Sequence, residues 1–140
     1  MLSRQSLQRW EGRQLTIDAL REYCLKKSGK VTEGFPFGED VLVFKVHQKI
    51  FLLLLLDVHP QKINLKCDPE RAIELRERYE AVQPGYHMNK KHWNTVALDG
   101  SIPPREIRTM IDHSYDLVSG DLKKAPKKRA KNETAVRNRS

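Results

Sequence analysis

A short segment in the second half of the chain interleaves basic residues, aromatic rings and amides. It is Tyr86-His87-Met88-Asn89-Lys90-Lys91-His92-Trp93-Asn94. Lysines can bind phosphates, whereas rings and amides can stack on bases or contact base edges. The alternative is that Tyr86 and Trp93 only pack against the protein and that the lysines solvate a loop. The candidate nucleic-acid contacts in this segment are His87, Asn89, Lys90, Lys91 and His92.

A second candidate surface lies in the alternating segment Lys62-Ile63-Asn64-Leu65-Lys66-Cys67. Successive side chains of a strand point to opposite faces of a sheet, so Lys62, Asn64 and Lys66 are predicted to share the polar face. Lys45 is expected on the same side of a neighbouring strand. A row of cations on a sheet would attract a polyanion. A polar face that is simply solvated is the alternative, and it is common in antiparallel sheets.

The end of the chain is its most basic part. From Asp121 to Ser140, eight basic side chains oppose two acidic ones, which gives +6 of the total net charge of +8. Because this tail lacks apolar anchors, we predict that it is disordered. Polybasic tails bind nucleic acid through counterion release, although a solubilising role or binding to acidic lipid is also open. The candidate contacts in the tail are Lys123, Lys124, Lys127, Lys128, Arg129 and Lys131.

Catalytic and metal-binding patterns are not evident in the sequence. Cys24 and Cys67 form no C-x-x-C pair, and the five histidines lack the spacing that metal ligands need. There is neither a G-x-S-x-G elbow nor a P-loop. We therefore expect no catalytic residue, no metal and no cofactor, and we expect that the protein is not an enzyme.

The apolar periodicity predicts seven elements in the order α-β-β-β-α-β-α. Thr16 is the candidate N-cap of the first helix and Gly29 its stop, while Asp68 and Pro69 begin the second helix. Short connections between the first three strands imply an antiparallel meander. The predicted fold is therefore α+β and two-layered, with the helices packed on one face of the sheet and the other face partly open. The remaining predicted elements are strands 41–46, 50–56, 62–67 and 93–98, a second helix ending near residue 79, and a last helix from residue 103.

Length and composition predict a single domain over residues 1–120, clearest over 14–118, followed by the tail 121–140. The apolar run 50–56 has seven residues, far fewer than the roughly 20 of a membrane-spanning helix, so we predict a buried central strand. Nothing at the start resembles a signal peptide, and cysteine use favours a reducing compartment. We therefore expect a cytoplasmic protein, with a monomer favoured.

Four ordered segments stand out along the chain: TEGFPFGEDVLVFKV (Thr32–Val46), INLKCDPE (Ile63–Glu70), PGYHMNKKHWNTV (Pro84–Val96) and IDHSYDLV (Ile111–Val118). Together they resemble the MmcQ/YjbR family over roughly residues 17–118. The resemblance implies a YjbR-like, CyaY-like α/β fold with a double-wing arrangement of protruding loops, and it implies DNA binding.

Two hypotheses of function follow. In the first, the segment 86–94, the polar strand face and the tail bind nucleic acid, with DNA favoured over RNA. Neither predicted helix 69–79 nor the last helix resembles a recognition helix, because both contain acidic residues that phosphates repel, so this binding is predicted to be largely non-specific. In the second, the open sheet face binds a small ligand or a partner protein through Asn64, Lys66, His87, Asn89 and Asn94.

Overall fold

The computed structural model describes residues 15–27 and 29–120. In this part of the chain, six antiparallel strands form one sheet in the order β1-β2-β3-β4-β6-β5, and three helices accompany it. The predicted α+β class and the antiparallel sheet are confirmed. The elements are α1 (Ile17–Leu25), β1 (Val31–Gly34), β2 (Val41–Val46), β3 (Lys49–Leu55), β4 (Lys62–Lys66), α2 (Pro69–Arg78), β5 (Val82–Pro84), β6 (Trp93–Ala97) and α3 (Pro104–Ser119).

The predicted order α-β-β-β-α-β-α is wrong in its number of strands, because β1 and β5 were not predicted. Both are edge strands, and they have four and three residues. A short edge strand needs only one hydrogen-bonded neighbour, and β5 ends at Pro84, which cannot donate a ladder hydrogen bond. The meander stops at β4, since β6 lies between β4 and β5.

The helices pack on one face of the sheet, as predicted. Leu54 pairs across the sheet with Leu42 on one side and with Ile63 on the other, and all three side chains lie in the core. Helix α3 lies against β3 and β4, while α1 lies near β1 and α2 near β5 and β6. We call the side that the helices cover the core face and the opposite side the open face.

Local signals at the helix starts behave as predicted, but one predicted helix stop is wrong. Thr16 Oγ1 accepts a hydrogen bond from the N–H of Ala19, and Asp68 caps α2 with Pro69 at its first position. Helix α1 ends at Leu25, before Gly29. Gly29 instead passes close to α3, where an added Cβ would lie 2.3 Å from the hydroxyl of Tyr115.

The short connection predicted between strands 41–46 and 50–56 is a hairpin between β2 and β3. His47 and Gln48 form a two-residue turn with positive φ values of 52° and 66°, as expected for a type I′ turn. The strand that follows is buried over Phe51–Leu54, in agreement with the predicted central strand. In the described residues, no helix has the length and apolar character that crossing a membrane requires.

Candidate nucleic-acid interface

The β5–β6 loop (Gly85–His92) contains most of the predicted contact segment, and its start is fixed to the open face. The N–H of Tyr86 donates to Thr95 Oγ1 at 2.8 Å, and its carbonyl accepts from Asn64 Nδ2 at 3.2 Å. The hydroxyl of Thr95 in turn donates to Asn64 Oδ1. Because this ring of hydrogen bonds uses both polar groups of its main chain, Tyr86 is held in one position on the sheet.

The rest of the loop is tightly folded on itself. An added Cβ at Gly85 would lie 2.7 Å from Cβ of Trp93, so only glycine fits there. Asn89 Oδ1 accepts from the N–H groups of Lys91 and His92, which forms an Asx turn. Lys90 Nζ donates to the carbonyl of Gly85 at 3.2 Å. The loop is therefore an ordered structure that holds its own shape.

Arg76 of α2 attaches the loop to the helical layer. Its Nε donates to Asn94 Oδ1 at 2.8 Å, and its Nη2 donates to the carbonyl of Lys90. Asn94 is buried on the core face and donates to the carbonyl of Ala72. Sequence reasoning missed Arg76, since nothing in a surface helix indicates which distant carbonyls an arginine will reach.

The loop presents an aromatic pair and two cations to solvent. The Tyr86 side chain is 58% exposed, and its ring centroid lies 3.9 Å from that of His87. His87 has a positive φ of 59° and is exposed, as are Lys90 and Lys91. Cations beside exposed rings can bind phosphates while the rings stack on bases. Of the other predicted contacts in this loop, Asn89 is exposed and His92 half-buried.

The polar face predicted for β4 is formed, but one of its members is not available for contact. Lys62, Asn64 and Lys66 alternate with the buried Ile63 and Leu65. Asn64 is only 2% exposed, and its amide is used by Tyr86 and Thr95. The predicted contact at Asn64 therefore has no exposed group to use, because the β5–β6 loop covers this side chain.

The three lysines of this face lie at separate positions on the sheet. Lys62 pairs across the sheet with Ala97, and Lys66 pairs with Trp93 at the other end of β6. Lys45 lies on β2 opposite Ile50, two strands away from β4. All three are half-buried. They are therefore dispersed over the sheet and do not form one cluster.

The described residues contain 15 basic and 15 acidic side chains, so this part of the chain has no net charge. The positive charge lies at the two ends of the sequence. The tail contacts predicted at Lys123, Lys124, Lys127, Lys128, Arg129 and Lys131 fall outside the described residues. Any attraction of a polyanion to the folded part must come from local clusters such as Lys90 and Lys91.

A groove of about 1030 Å³ crosses the open face beside the β5–β6 loop. Its floor includes Leu55, Lys62 and Ala97, which pair with one another across the sheet. Tyr86 lies at one boundary of the groove, and residues at the two sides of the sheet form its other walls. The residues of these walls include Val58, Pro60, Arg78, Glu80, Ala81, Gln83, Asp99 and Ser101.

The pocket predicted from Asn64, Lys66, His87, Asn89 and Asn94 is not formed. Asn94 lies on the core face, Asn64 is buried beneath the loop, and Asn89 closes the Asx turn. None of the five lines the groove on the open face. The ligand-binding hypothesis therefore loses the residues on which it was based, although the open face does contain a concave site.

The segment 111–118 has structural roles in α3. Ser114 is fully buried, donates to the carbonyl of Phe51 at 2.6 Å and accepts from the N–H of Lys66 at 3.0 Å. It thereby joins β3 to β4 just beyond the last paired residues of their ladder. The hydroxyl oxygen of Tyr115 accepts a hydrogen bond from the N–H of Gly29 at 2.7 Å.

Two further residues of this segment tie α3 to α1 and to α2. Asp112 accepts from the hydroxyl of Tyr23 at 2.6 Å and from Lys27 Nζ at 2.5 Å. Burial and the hydrogen bond to Asp112 raise the pKa of Tyr23. His113 Nε2 accepts the N–H of Asp68 at 3.1 Å, and burial lowers its pKa to about 4.

Nucleophilic and metal chemistry find little support in the described residues. Both cysteines are buried and free, and burial raises the pKa of each thiol to about 12. Few thiolates would therefore exist at neutral pH. Across residues 15–27 and 29–120, no group of three or more His, Cys, Asp or Glu side chains could hold a metal ion.

Comparison with known proteins gives consistent matches over the folded part. The family model described as YjbR matches residues 25–117. Escherichia coli (strain K12) YjbR, named as an uncharacterized protein, is 35% identical over 101 residues, which are 72% of this chain and 85% of that protein. Escherichia coli O157:H7 YbdF, also named as uncharacterized, is 39% identical over 97 residues, 69% of this chain and 80% of that protein.

Solved structures show the same fold. A crystal structure of a Deinococcus radiodurans protein, described by the domain DUF419, has a TM-score of 0.72 and 40% sequence identity, and the match covers 77% of this chain and 80% of that chain. A crystal structure of a Pseudomonas syringae protein has a TM-score of 0.62 and 29% identity, covering 74% of this chain and 99% of that one.

Proposed function

The chain belongs to the YjbR family, and we propose that it is a non-catalytic nucleic-acid-binding protein that holds DNA largely without regard to sequence. One observation supports this proposal above the others. The ordered β5–β6 loop exposes the Tyr86–His87 ring pair together with Lys90 and Lys91. In an otherwise neutral folded part, this loop combines the two kinds of group that bind a nucleic-acid strand.

The order of the loop favours binding on energetic grounds. A flexible loop loses main-chain conformational entropy when it binds, about 1–2 kcal/mol for each residue whose backbone becomes fixed. The main chain of Tyr86 is already fixed by Asn64 and Thr95, and Arg76 holds the carbonyl of Lys90. Part of that entropy is therefore lost on folding, before any ligand arrives.

The weak sequence preference follows from where the charges lie. Helix α2 has three acidic residues, Glu70, Glu74 and Glu77, exposed to solvent, and phosphates would repel them. Lysines bind phosphates as point charges and do not distinguish bases. The tail, with a net charge of +6, would add further affinity of the same non-specific kind.

A salt series tests the proposal. Binding of fluorescent single-stranded DNA and of a fluorescent DNA duplex is measured by anisotropy between about 50 and 200 mM salt, a range in which phosphate contacts weaken strongly. The proteins are the full chain, residues 1–120, the loop double variant Lys90→Gln/Lys91→Gln, and a matched control. The control, Lys26→Gln/Lys30→Gln, removes the same charge from the exposed lysines beside α1.

We expect residues 1–120 to bind DNA at low salt and more weakly than the full chain. The loop variant should make the negative slope of log K against log salt shallower by about 1–2. Each lost phosphate contact reduces the magnitude of this slope by about 0.9. The control pair should change it less. If residues 1–120 fail to bind at the lowest salt, the folded surface is not the site. If the full chain also fails, the proposal is wrong.

A further inference from the structure

The groove on the open face differs in charge from the β5–β6 loop beside it. It is lined by two cationic side chains, Lys62 and Arg78, and by two anionic ones, Glu80 and Asp99. The side chain of Ser101 donates to Asp99 and lowers the pKa of its carboxyl, so this carboxylate is ionised at neutral pH. The groove is therefore close to neutral overall, and a run of phosphates would not be stable inside it.

The groove does suit flat, neutral groups with hydrogen-bonding edges. Val58, Pro60 and Ala97 provide apolar surface, while Gln83 and the two carboxylates provide polar groups. Carboxylates accept hydrogen bonds from the exocyclic amino groups of bases such as cytosine. At about 1030 Å³, the groove also reaches the upper end of the range of ligand pockets, roughly 300–1,000 Å³.

Tyr86 connects the groove to the basic loop. Its side chain lines the groove and contacts the ring of His87, and Lys90 Nζ of the same loop donates to the carbonyl of Gly85, the residue before Tyr86. The tyrosine ring is exposed, although hydrogen bonds fix its main chain. A ring in a fixed position can stack on an unpaired base, and lysines beside it can bind the phosphates of the same strand.

From this arrangement we infer that the protein binds single-stranded nucleic acid, with unpaired bases in the groove against Tyr86 and the phosphates along Lys90 and Lys91. The inference rests on the nucleic-acid function proposed above and names the strand form that the site accepts. Bases inside a duplex are stacked and paired, so they cannot enter a groove on the protein surface. Single strands offer them freely.

Three ligands of equal length distinguish the contribution of the bases to binding from that of the phosphates. One is oligodeoxycytidine of about 12 nucleotides, within the range of single-strand site sizes. The second is a backbone of the same length made of abasic tetrahydrofuran units, which keeps the phosphates and lacks the bases. The third is a duplex. Binding of each ligand to the full chain is measured at a salt concentration that removes most of the electrostatic attraction between lysines and phosphates.

Two substitutions of Tyr86 give the matched variants. Tyr86→Ala removes the ring, whereas Tyr86→Phe keeps it, and both leave the main-chain hydrogen bonds to Asn64 and Thr95 in place. Because the side chain is exposed, neither variant should unfold, and circular dichroism checks this. A third variant, Ala97→Leu, fills the floor of the groove without changing any charge.

We expect oligodeoxycytidine to bind at least about tenfold tighter than the abasic strand, in line with one stacked base, and also tighter than the duplex, whose bases cannot enter the groove. Tyr86→Ala and Ala97→Leu should remove that advantage, and Tyr86→Phe should keep it. Equal binding of the base-containing and abasic strands would overturn the inference while leaving the proposed function intact. If no ligand binds at any salt concentration, the proposed function fails as well.

Discussion

His113 should make the stability of the protein depend on pH between about pH 6.5 and pH 4. Its Nε2 accepts the N–H of Asp68 at 3.1 Å, so only the neutral ring, protonated on Nδ1, fits this position. Burial and, to a smaller extent, the charge of Arg71 lower its pKa to about 4, while the carboxylate of Asp68 partly opposes these effects. Protonation of Nε2 would place its N–H against the main-chain N–H of Asp68.

The size of the effect follows from the difference between the folded and unfolded states. An unfolded histidine has a pKa of 6.5, and the folded value is about 4. At about 1.36 kcal/mol per pKa unit, the difference corresponds to roughly 3 kcal/mol. Because the folded pKa is the lower one, the stabilisation is complete above pH 6.5. It is lost as the pH falls from 6.5 towards 4.

Urea unfolding at constant ionic strength, from pH 8 to pH 4, measures this loss for the native chain and for His113→Gln. The glutamine carbonyl can accept the same N–H but cannot ionise in this range. We expect the native chain to be the more stable at pH 8 and its advantage to shrink by about 3 kcal/mol by pH 4. His87→Gln, at an exposed histidine, is the control. If the native and His113→Gln curves remain parallel, the reasoning is refuted.

Three further substitutions test the packing of the fold. Ser114→Ala should lower the free energy of unfolding by about 2–3 kcal/mol, because it leaves two buried main-chain groups without a partner; a loss below about 0.5 kcal/mol would contradict this role. Gly29→Ala should also destabilise, by about 1–3 kcal/mol, and Tyr115→Phe should partly rescue it because the clash involves the tyrosine hydroxyl; strict additivity of the two changes would show that no clash exists. Gln48→Gly should raise the free energy of unfolding by up to about 1 kcal/mol, since the φ of 66° at this position suits glycine. A lower free energy of unfolding for this variant would be evidence against the assigned turn. Chemical denaturation measures the free energy of unfolding of all three variants.

Features set by neighbouring residues could be predicted from the sequence. The caps at Thr16 and Asp68 depend on groups within one helical turn, and the alternation in β4 depends only on strand geometry. The class of the fold followed from these local patterns. The edge strands β1 and β5 did not, because short edges show little periodicity.

Features set by distant contacts could not be predicted. Alternation correctly placed Asn64 on the open face, but its burial depends on a loop that begins 21 residues later in the chain. Arg76 reaches Lys90 and Asn94 for reasons that no local pattern contains. The candidate loop itself was found from residue types alone, whereas the groove beside it appears only when four separate connections meet on the open face.

The most direct test of the central claim is to locate the contact surface. Backbone amide spectra of isotope-labelled residues 1–120 are recorded while unlabelled DNA is added. We expect the largest shift changes in the β5–β6 loop, at Tyr86 to Lys91, and little change on the exposed face of α2 around Glu70, Glu74 and Glu77. Shifts concentrated on α2 or α3, or no shifts at DNA concentrations that saturate the full chain, would contradict this claim.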